Sequence, residues 1–412
     1  MFITLIIIFT VAFVGLAWVN LRAACFFILA TLPLYLIRFS IGPLPLTMLE
    51  LVLLIVILIW LIRDQGYQKF TKDFRFPIAI ILVAATVSIF VAPNTMAALG
   101  IWKSYFVEPV LFFYVLRSVL NNRQGVYRAI WALGVGACFI AAYAVFQKIT
   151  GLSIPEPWDL ARRATSIFPY PNAVGLYLAP LIALGFAALL HTIKRLRPIS
   201  SIFWITTIVL ATLAIIFSET EAVWVALPIV LWIMSWFSIK LRRWTVPLGL
   251  IVILIILAIP TINQPLFEKI TLQDYSGGVR RAQWSETIEL LKDTPLLGAG
   301  LSGYPTAIEP YHQNEHIEIF QYPHNIFLNT WVELGLLGVV GLAWLVIETI
   351  RRAYHGLKSY QKQRWLIVGC LGALAAIFIH GLVDVPYFKN DLAVITWSIL
   401  ALLSVATNKY ET

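Results

Sequence analysis

The chain has 412 residues, of which 60% are hydrophobic and only 12% are charged. A soluble domain keeps its apolar fraction near one half, whereas a mean hydropathy of +0.84 and repeated long apolar runs predict a polytopic membrane protein. The formal charge of +9 is then expected to reflect orientation in the membrane rather than nucleic-acid binding. All three cysteines lie inside apolar runs, so we expect no disulfide framework and no Cys-x-x-Cys metal pair.

The apolar runs predict an all-α transmembrane bundle of about 12–13 helices. Only Asn20-Leu21-Arg22 separates the first two runs, so one of the two is expected to be tilted or half-inserted. The runs cover residues 2–19, 24–38, 46–62, 76–92, 105–120, 127–147, 171–190, 200–217, 221–239, 245–262, 326–349, 365–383 and 391–407.

We divide the chain into N-terminal transmembrane helices over 1–262, one long periplasmic loop over 263–325, and C-terminal transmembrane helices over 326–412. These parts form a single membrane domain, because no internal repeat or linker separates them. Within the loop, residues 285–292 have helical character that ends at Asp293-Thr294-Pro295. Three glycines, at 298, 300 and 303, then predict a flexible turn.

Basic loops predict how the chain is oriented. Short loops rich in Lys and Arg remain in the cytoplasm, and by alternation the loop 263–325 falls on the opposite, periplasmic side of the bacterial inner membrane. With thirteen spans the C-terminus is cytoplasmic and the N-terminus periplasmic. The basic loops are 63–75, 117–128, 194–197, 240–243 and 351–364.

The stretch Tyr322-Pro323-His324-Asn325 closes the longest polar segment and opens a long apolar helix. Pro323 fixes its own φ and favours extended backbone at Tyr322, which suits the end of a loop. Asn325 can cap the helix that follows. His324 is therefore expected at the membrane–water boundary beside a helix N-terminus, where an imidazole can transfer a proton. The alternative is a histidine that only hydrogen-bonds its loop.

The residues after His324 carry a resemblance to a known family. His-Asn, followed after nine residues by Gly-x-x-Gly, resembles the signature of bacterial O-antigen ligases. Pro-His-Asn with Glu-Leu-Gly-Leu-Leu-Gly is similar to related O-antigen polymerases. The resemblance covers roughly 160–340 and favours a catalytic role for His324, whereas the earlier helices match only in hydropathy.

Five basic residues fall on the same outer side as His324, against the general inside bias. Arginine offers paired donors that match phosphate oxygens, so this placement suggests a diphosphate site. Contact with lipid headgroups is the alternative for each of them. The five are Lys103, Arg162, Arg163, Arg280 and Arg281.

Two of these positions lie in stretches that resemble the family. The stretch from Arg163 to Asn172 resembles an Arg-containing segment that ends in Phe-x-x-Pro-Asn and enters a membrane helix. The stretch from Arg280 to Trp284, followed by Pro-Leu-Leu-Gly-Ala-Gly, resembles an Arg-x-x-x-Trp and Pro-Leu-Leu-Gly-x-Gly stretch. By spacing from Trp284, Arg280 is the matching arginine and Arg281 is the fallback.

One position departs from the family. Residues 217–224 lie where ligases typically read Ser-Arg-Gly-Ala-Trp, and Glu221 occupies the place of the arginine. A carboxylate at the outer end of an apolar helix is costly to desolvate unless it is paired. We predict that Glu221 faces a lipid-accessible cavity beneath the long outer loop and pairs with Arg163, Arg280 or His324, while Glu219 stays solvated. The alternative is a glutamate that only caps its helix.

Two further groups of polar residues have weaker signals. His312 and His316, with Glu315 and Glu318 nearby, would form a His-x-x-x-His metal site if helical, but no third ligand is evident and we predict no metal. His380 and Asp384 have i, i+4 spacing near an outer helix end, which suits a structural hydrogen bond.

The resemblance implies a GT-C-type lipid-linked glycan transferase without a cofactor. Its donor would be an undecaprenyl-diphosphate-linked glycan, its acceptor a glycan or a lipid-linked molecule, and its oligomeric state a monomer. Arg280, Arg163 and Lys103, a position where such proteins often carry a basic residue, would hold the diphosphate, while His324 accepts the acceptor's proton. Ligase and polymerase both remain open. The alternative function is a transporter, a flippase or a non-catalytic binder of lipid-linked glycans.

Overall fold

The computed structural model describes residues 2–42, 44–63, 70–313 and 316–408, and it confirms an all-α polytopic membrane protein. Within these ranges five helices are long and apolar enough to span a membrane, and seven further apolar helices have 10–17 residues. The helices are α1 (Phe2–Val19), α2 (Leu21–Ala30), α3 (Met48–Ile62), α4 (Arg75–Val91), α5 (Thr95–Ile101), α6 (Glu108–Val119), α7 (Arg123–Thr150), α8 (Asn172–Lys194), α9 (Pro198–Phe217), α10 (Glu221–Ser235), α11 (Ile239–Ala258), α12 (Pro260–Ile270), α13 (Tyr275–Asp293), α14 (Tyr304–Ile308), α15 (Ile326–Ser359), α16 (Arg364–His380) and α17 (Asn390–Ala406).

The second apolar run, 24–38, does not form one full-length helix. α2 has 10 residues, about 15 Å at 1.5 Å per residue, which is half the hydrocarbon thickness of about 30 Å. A 3₁₀ turn that begins with Leu32-Pro33 follows and leads into an antiparallel hairpin of β1 (Arg38–Ile41) and β2 (Leu44–Thr47). The sequence analysis did not predict these strands.

The basic loops gather at one end of the bundle. Asp73, just before α4, lies 2.6 Å from Arg352 near the end of α15 and 3.9 Å from Arg117 near the end of α6. Arg364 at the start of α16 lies over the ring of Phe237 after α10, at 5.9 Å. The prediction that these loops share one end of the bundle is therefore confirmed for the described residues. Positions 64–69 of the first basic loop lie outside the described residues.

The segment 263–325 contains more helix than the sequence analysis predicted. The predicted helix over 285–292 lies within α13, which already begins at Tyr275 and ends at Asp293, as expected. The Oδ1 atom of Asp274 accepts a hydrogen bond from the amide of Gly277 at 3.0 Å and caps this helix. A small apolar core joins α13 to α15 through Leu290, Leu291, Ala299, Tyr304, Ile308 and Val332.

The glycine turn after α13 passes across a break in α15. At Gly335 the backbone has φ +66° and ψ −173°, so local helical hydrogen bonds are lost. The amide of Leu336 donates instead to the carbonyl of Leu296 at 3.0 Å, and the amide of Ala299 donates to Val332 O at 2.7 Å. The turn at 298–300 is buried, so the structure shows a closely packed turn in place of the flexible one expected.

We expect Gly335→Ala to lower the free energy of unfolding by about 3 kcal/mol, because this φ/ψ region is essentially restricted to glycine. A Cβ there would also lie 2.3 Å from Leu296 O. The measurement is thermal unfolding of the purified protein in detergent.

The matched control is Gly278→Ala in α13. A Cβ at that position meets no atom within 4 Å, and alanine is the better helix former by up to about 1 kcal/mol. Equal melting temperatures for the two variants would contradict the close packing of the turn at 298–300 against the break in α15.

Candidate active site

His324 lies at the junction where α15 begins. Its backbone is left-handed, with φ +46°, which is uncommon for a residue other than glycine. The preceding carbonyl, of Pro323, accepts a hydrogen bond from Trp284 Nε1 of α13 at 2.8 Å. The rings of Phe320 and Tyr322 stand edge-on to the imidazole, with centroids at 5.1 and 5.0 Å. Helix α13 and two aromatic rings thus determine where this imidazole sits.

Asn325 caps α15, as the sequence predicts. Its Oδ1 accepts hydrogen bonds from the amides of Phe327 at 2.9 Å and Leu328 at 3.1 Å. Its side chain has a second role that the sequence did not reveal, since Nδ2 donates to the carbonyl of Leu382 at 3.0 Å. The cap therefore also holds the turn between α16 and α17.

Three successive carbonyls of that turn accept hydrogen bonds from three different donors. The donors belong to the start of α15 and to α13, so the turn joins both elements. The pairs are Gly381 O with the amide of Ile326 at 2.8 Å, Leu382 O with Asn325 Nδ2 at 3.0 Å, and Val383 O with Arg280 Nε at 3.0 Å.

The next residue in the turn, Asp384, is buried and faces two histidines. Its Oδ1 lies 3.5 Å from His324 Nδ1, and its Oδ2 lies 4.0 Å from His380 Nε2. The first distance is at the long end of hydrogen bonding, so the contact is chiefly electrostatic. Burial raises the pKa of Asp384, but the two histidines and the Val385 amide outweigh it and hold the pKa below its ordinary value. The carboxylate therefore stays charged beside His324.

The sequence analysis assigned Asp384 only a structural hydrogen bond with His380, and their separation of 4.0 Å is too long for one. It did not foresee the contact with His324. The two residues are far apart along the chain and no local pattern connects them. In the described part of the chain, His324 Nδ1 is buried without a hydrogen-bond partner. The carboxylate that faces this nitrogen is consequently the group that determines its electrostatic environment.

Arg280 lies at this turn, whereas Arg281 does not contact it. The Nε atom of Arg280 donates a hydrogen bond to the carbonyl of Val383. Within the described residues no carboxylate forms an ion pair with this guanidinium. Arg281 is exposed on α13, because successive helical residues point about 100° apart. The structure thus places next to Asp384 the arginine that spacing from Trp284 had selected.

Arg163 holds a second loop. Its Nε donates to Ser218 O at 2.7 Å, and its Nη2 donates to Asn172 Oδ1 at 3.0 Å and to Glu219 O at 3.1 Å. The guanidinium lies 5.2 Å from the ring centroid of Trp158. The two ends of the predicted Arg-to-Asn stretch are therefore in contact, and most donors of this arginine already have protein partners.

Buried aromatic residues connect the loop of Arg163 with that of His324. The ammonium of Lys389 lies 4.4 Å from the ring of Tyr170 and 3.3 Å from the hydroxyl of Tyr35. Burial raises the pKa of Tyr170, and the neighbouring Tyr322 and Asp384 act in the same direction. The sequence analysis did not select Lys389, Tyr35 or Tyr170 as site residues, because these contacts bring together distant parts of the chain.

Lys103 has carboxylate partners. Its Nζ lies 2.8 Å from Glu50 and 3.9 Å from Glu108, and both glutamates are buried. Lys103 sits in the π-helical turn between α5 and α6. Its described ion pairs therefore differ from the grouping with Arg163 and Arg280 that the sequence suggested.

The predicted pairing of Glu221 is wrong. Its carboxylate forms an ion pair with Lys269 of α12, rather than with Arg163, Arg280 or His324. Glu219 is exposed, as predicted, and its carboxylate lies 3.9 Å from Arg163 Nε. The physical reason is helix α12, which was predicted as loop and brings its lysine to the start of α10.

His312 uses both ring nitrogens within the protein. Nδ1 lies 3.1 Å from Glu286 Oε2, and Nε2 lies 2.8 Å from Ile317 O. The hydrogen bond with Glu286 raises the pKa of His312. Glu315, one of the two carboxylates that the sequence placed beside the two histidines, lies outside the described residues.

Residues 206–343 of this chain match the sequence model of the family described as O-antigen ligase. This region belongs to the O-antigen ligase family. The resemblance stated from the sequence is therefore confirmed, and the matched range contains Arg280, Trp284, His324 and Gly335 but neither Arg163 nor the turn 381–384.

A relative is similar over a longer range than the family match. An uncharacterized protein of Haemophilus influenzae is 22% identical over 283 residues, which are 64% of this chain and 67% of that protein. Because 283 residues exceed the length of the O-antigen ligase match, this similarity includes residues outside that region.

We expect Asn325→Ser to separate the two roles of this side chain. Serine is an equally good N-cap but is too short to donate to Leu382 O. Amide hydrogen exchange in the turn 381–385 should therefore become about 5-fold faster. This factor corresponds to the net free energy of one hydrogen bond, about 1 kcal/mol. Exchange at the first turn of α15 should be unchanged, as read by mass spectrometry of the two peptides.

The control for this experiment is Asn325→Ala, which removes both roles and should accelerate exchange in both peptides. If Asn325→Ser left the turn 381–385 fully protected, the hydrogen bond to Leu382 would be irrelevant to the position of Asp384.

Proposed function

We propose that this protein is a glycosyltransferase that moves a glycan from undecaprenyl diphosphate to an acceptor hydroxyl. Membership of the O-antigen ligase family supports the coarser role, ligation or polymerisation of a lipid-linked glycan. The observation that carries the proposal is the meeting of His324, Asp384 and Arg280 at one clamped turn. These groups supply a base, a buried carboxylate behind it and a cation for a phosphate.

In this proposal His324 is the general base. The Asp384 carboxylate faces Nδ1, which favours a proton on that nitrogen and leaves Nε2 as the acceptor. Nε2 takes the proton of the attacking hydroxyl while the oxygen forms a bond to the anomeric carbon. The carboxylate then stabilises the imidazolium, as an aspartate does in other His-Asp pairs. Asp384 is a positioning residue in this scheme.

The leaving group is undecaprenyl diphosphate, and its developing charge needs cations. Arg280 retains the two terminal nitrogens of its guanidinium after Nε has bonded Val383, and a pair of such donors matches phosphate oxygens. This stabilisation requires no metal in the proposal. Arg163 has fewer free donors, and Lys103 is paired with carboxylates. We therefore assign these two residues smaller contributions to stabilising the diphosphate. A direct displacement of this kind inverts the anomeric centre.

We place the reaction at the periplasmic face of the bacterial inner membrane. The basic loops gather at the opposite end of the bundle from His324, and such loops stay in the cytoplasm. We also propose that the protein acts as a monomer. The acceptor distinguishes a ligase from a polymerase, and a lipid A conjugate or a longer glycan would be the respective product.

The test is incubation of the purified protein with lipid-linked oligosaccharide and candidate acceptors. We expect His324→Ala to slow transfer by about 10² to 10⁴, the usual contribution of general base catalysis. Asp384→Asn should slow it by about 10² while donor binding persists, because only the orientation and charge of the imidazole change.

The matched control is His316→Ala, a histidine of the same segment that is exposed and should retain full activity. Absence of any new glycan product with wild-type protein would favour a transporter or a binder. Normal turnover by His324→Ala would remove the base assignment.

We expect Arg280→Lys to weaken binding of undecaprenyl diphosphate about 10-fold or more, because a point charge cannot replace a bidentate fork. Arg281→Ala should leave affinity unchanged, since that side chain points away. Because Arg280 also holds Val383, the melting temperature of each variant is measured alongside the dissociation constant. Equal affinities of Arg280→Ala and Arg281→Ala would show that neither side chain grips the diphosphate.

A further inference from the structure

A cavity of about 590 Å³ opens at the end of the bundle opposite His324. Helix α15 establishes the two ends, because it begins next to His324 and ends at Ser359, shortly before the cavity residues Lys362 and Gln363. The starts of α7 and α16 and the end of α8 form its walls. None of the proposed transfer residues lines this cavity.

Five cationic side chains line the cavity, and none of its lining residues is a carboxylate. Like charges around a concave surface repel one another and create a strongly positive potential. An anion with more than one charge would relieve this repulsion. The five side chains are Arg123, Arg128, Arg195, Arg197 and Lys362.

Two other arginines at the same end have carboxylate partners. Arg352 lies 2.6 Å from Asp73, and Arg351 lies 2.7 Å from Glu348. Among the residues that the structure describes, no such ion pair involves the five cations of the cavity. The bias of cytoplasmic loops toward Lys and Arg accounts for basic residues at this end. It does not account for five cations that line one concave surface without a carboxylate among them.

Stacked rings give the cavity a fixed aromatic wall. The ring of Trp365 stacks on His191 with centroids 4.5 Å apart and on Tyr127 at 5.5 Å. The guanidinium of Arg197 lies 5.5 Å from the centroid of the Tyr127 ring. These contacts hold one cation at a defined place, so the site is preorganised rather than a set of independent surface side chains.

Two helix N-termini add to the positive potential. Helices α7 and α16 both begin at the cavity, at Arg123 and Arg364, and a helix N-terminus carries a partial positive charge that suits phosphate. Tryptophan residues near the ends of membrane helices lie at headgroup level. The presence of Trp131 and Trp365 in the cavity wall therefore favours a ligand at the lipid surface.

We propose that this cavity is a binding site for a phosphate group with two negative charges or more, carried by a membrane lipid. Several arginines would share one phosphate through charge-assisted hydrogen bonds. A soluble diphosphate offers the same chemistry from another source. The site is separate from the proposed transfer site and does not depend on it.

The experiment is native mass spectrometry of the full chain in detergent, titrated with phosphatidate, phosphatidylcholine or inorganic pyrophosphate. We expect the wild type to bind phosphatidate more tightly than phosphatidylcholine. The double variant Arg195→Gln/Arg197→Gln should bind phosphatidate about 10- to 100-fold more weakly, the value of one or two charged hydrogen bonds. The control, Arg242→Gln/Arg243→Gln, removes two exposed arginines of the same end and should bind like the wild type.

A second measurement locates the site in the wild type, so it does not require the variant to fold. Phenylglyoxal should modify Arg195 and Arg197 more slowly when phosphatidate is bound, and Arg242 and Arg243 at an unchanged rate. The same protection by pyrophosphate, with no preference for phosphatidate, would assign the site to a soluble diphosphate and overturn the lipid source. Equal protection of all four arginines, or equal affinity of both double variants, would overturn the site itself.

Discussion

Three hydrogen bonds to one turn hold the candidate active site together. The carbonyls of residues 381–383 would each cost about 1–3 kcal/mol if buried without a donor, and the donors come from α13 and from the start of α15. The position of Asp384 therefore depends on Asn325 and Arg280, which are distant in sequence. Any motion of α13 relative to α15 would displace the carboxylate from His324, so catalytic geometry and helix packing cannot vary independently.

The distance between α13 and α15 is in turn set by backbone contacts. A membrane helix cannot leave amide and carbonyl groups unsatisfied in the hydrocarbon region, and the break at Gly335 frees some of each. The turn after α13 satisfies them through Leu296 and Ala299, and Gly298 permits its close approach, since a Cβ there would lie 2.3 Å from Val332 O. Gly298 and Gly335 thus allow the backbone of the turn to approach the backbone of α15. This close approach brings Trp284 and Arg280 to the junction at His324.

Arginines at the two ends of the bundle differ mainly in whether the protein already neutralises them. Arg163 donates hydrogen bonds to backbone carbonyls, and Arg352 forms an ion pair with Asp73. Both arginines therefore hold parts of the protein together. Arg280 and the cavity formed by α7, α8 and α16 keep donors that no described carboxylate uses. The positions of the unpaired cations, rather than their number, distinguish arginines that can bind a ligand from arginines that hold loops in place. The net positive charge of the chain therefore includes residues with different roles.

The amino-acid sequence by itself determined the all-α class, most helix positions and the local signals. Hydropathy suffices for these because a chain in hydrocarbon must satisfy its backbone within each helix, and the cap at Asn325 and the selection of Arg280 follow from spacing over a single turn. Only the tertiary structure decided which helices are neighbours, and hence the partners of Asp384, Lys103 and Glu221. In a membrane most helices are apolar all round, so pairing depends on shape and on polar contacts that hydropathy does not encode. The hairpin after α2 and the helix α12 were missed for the same reason, since tertiary contacts override local preference there.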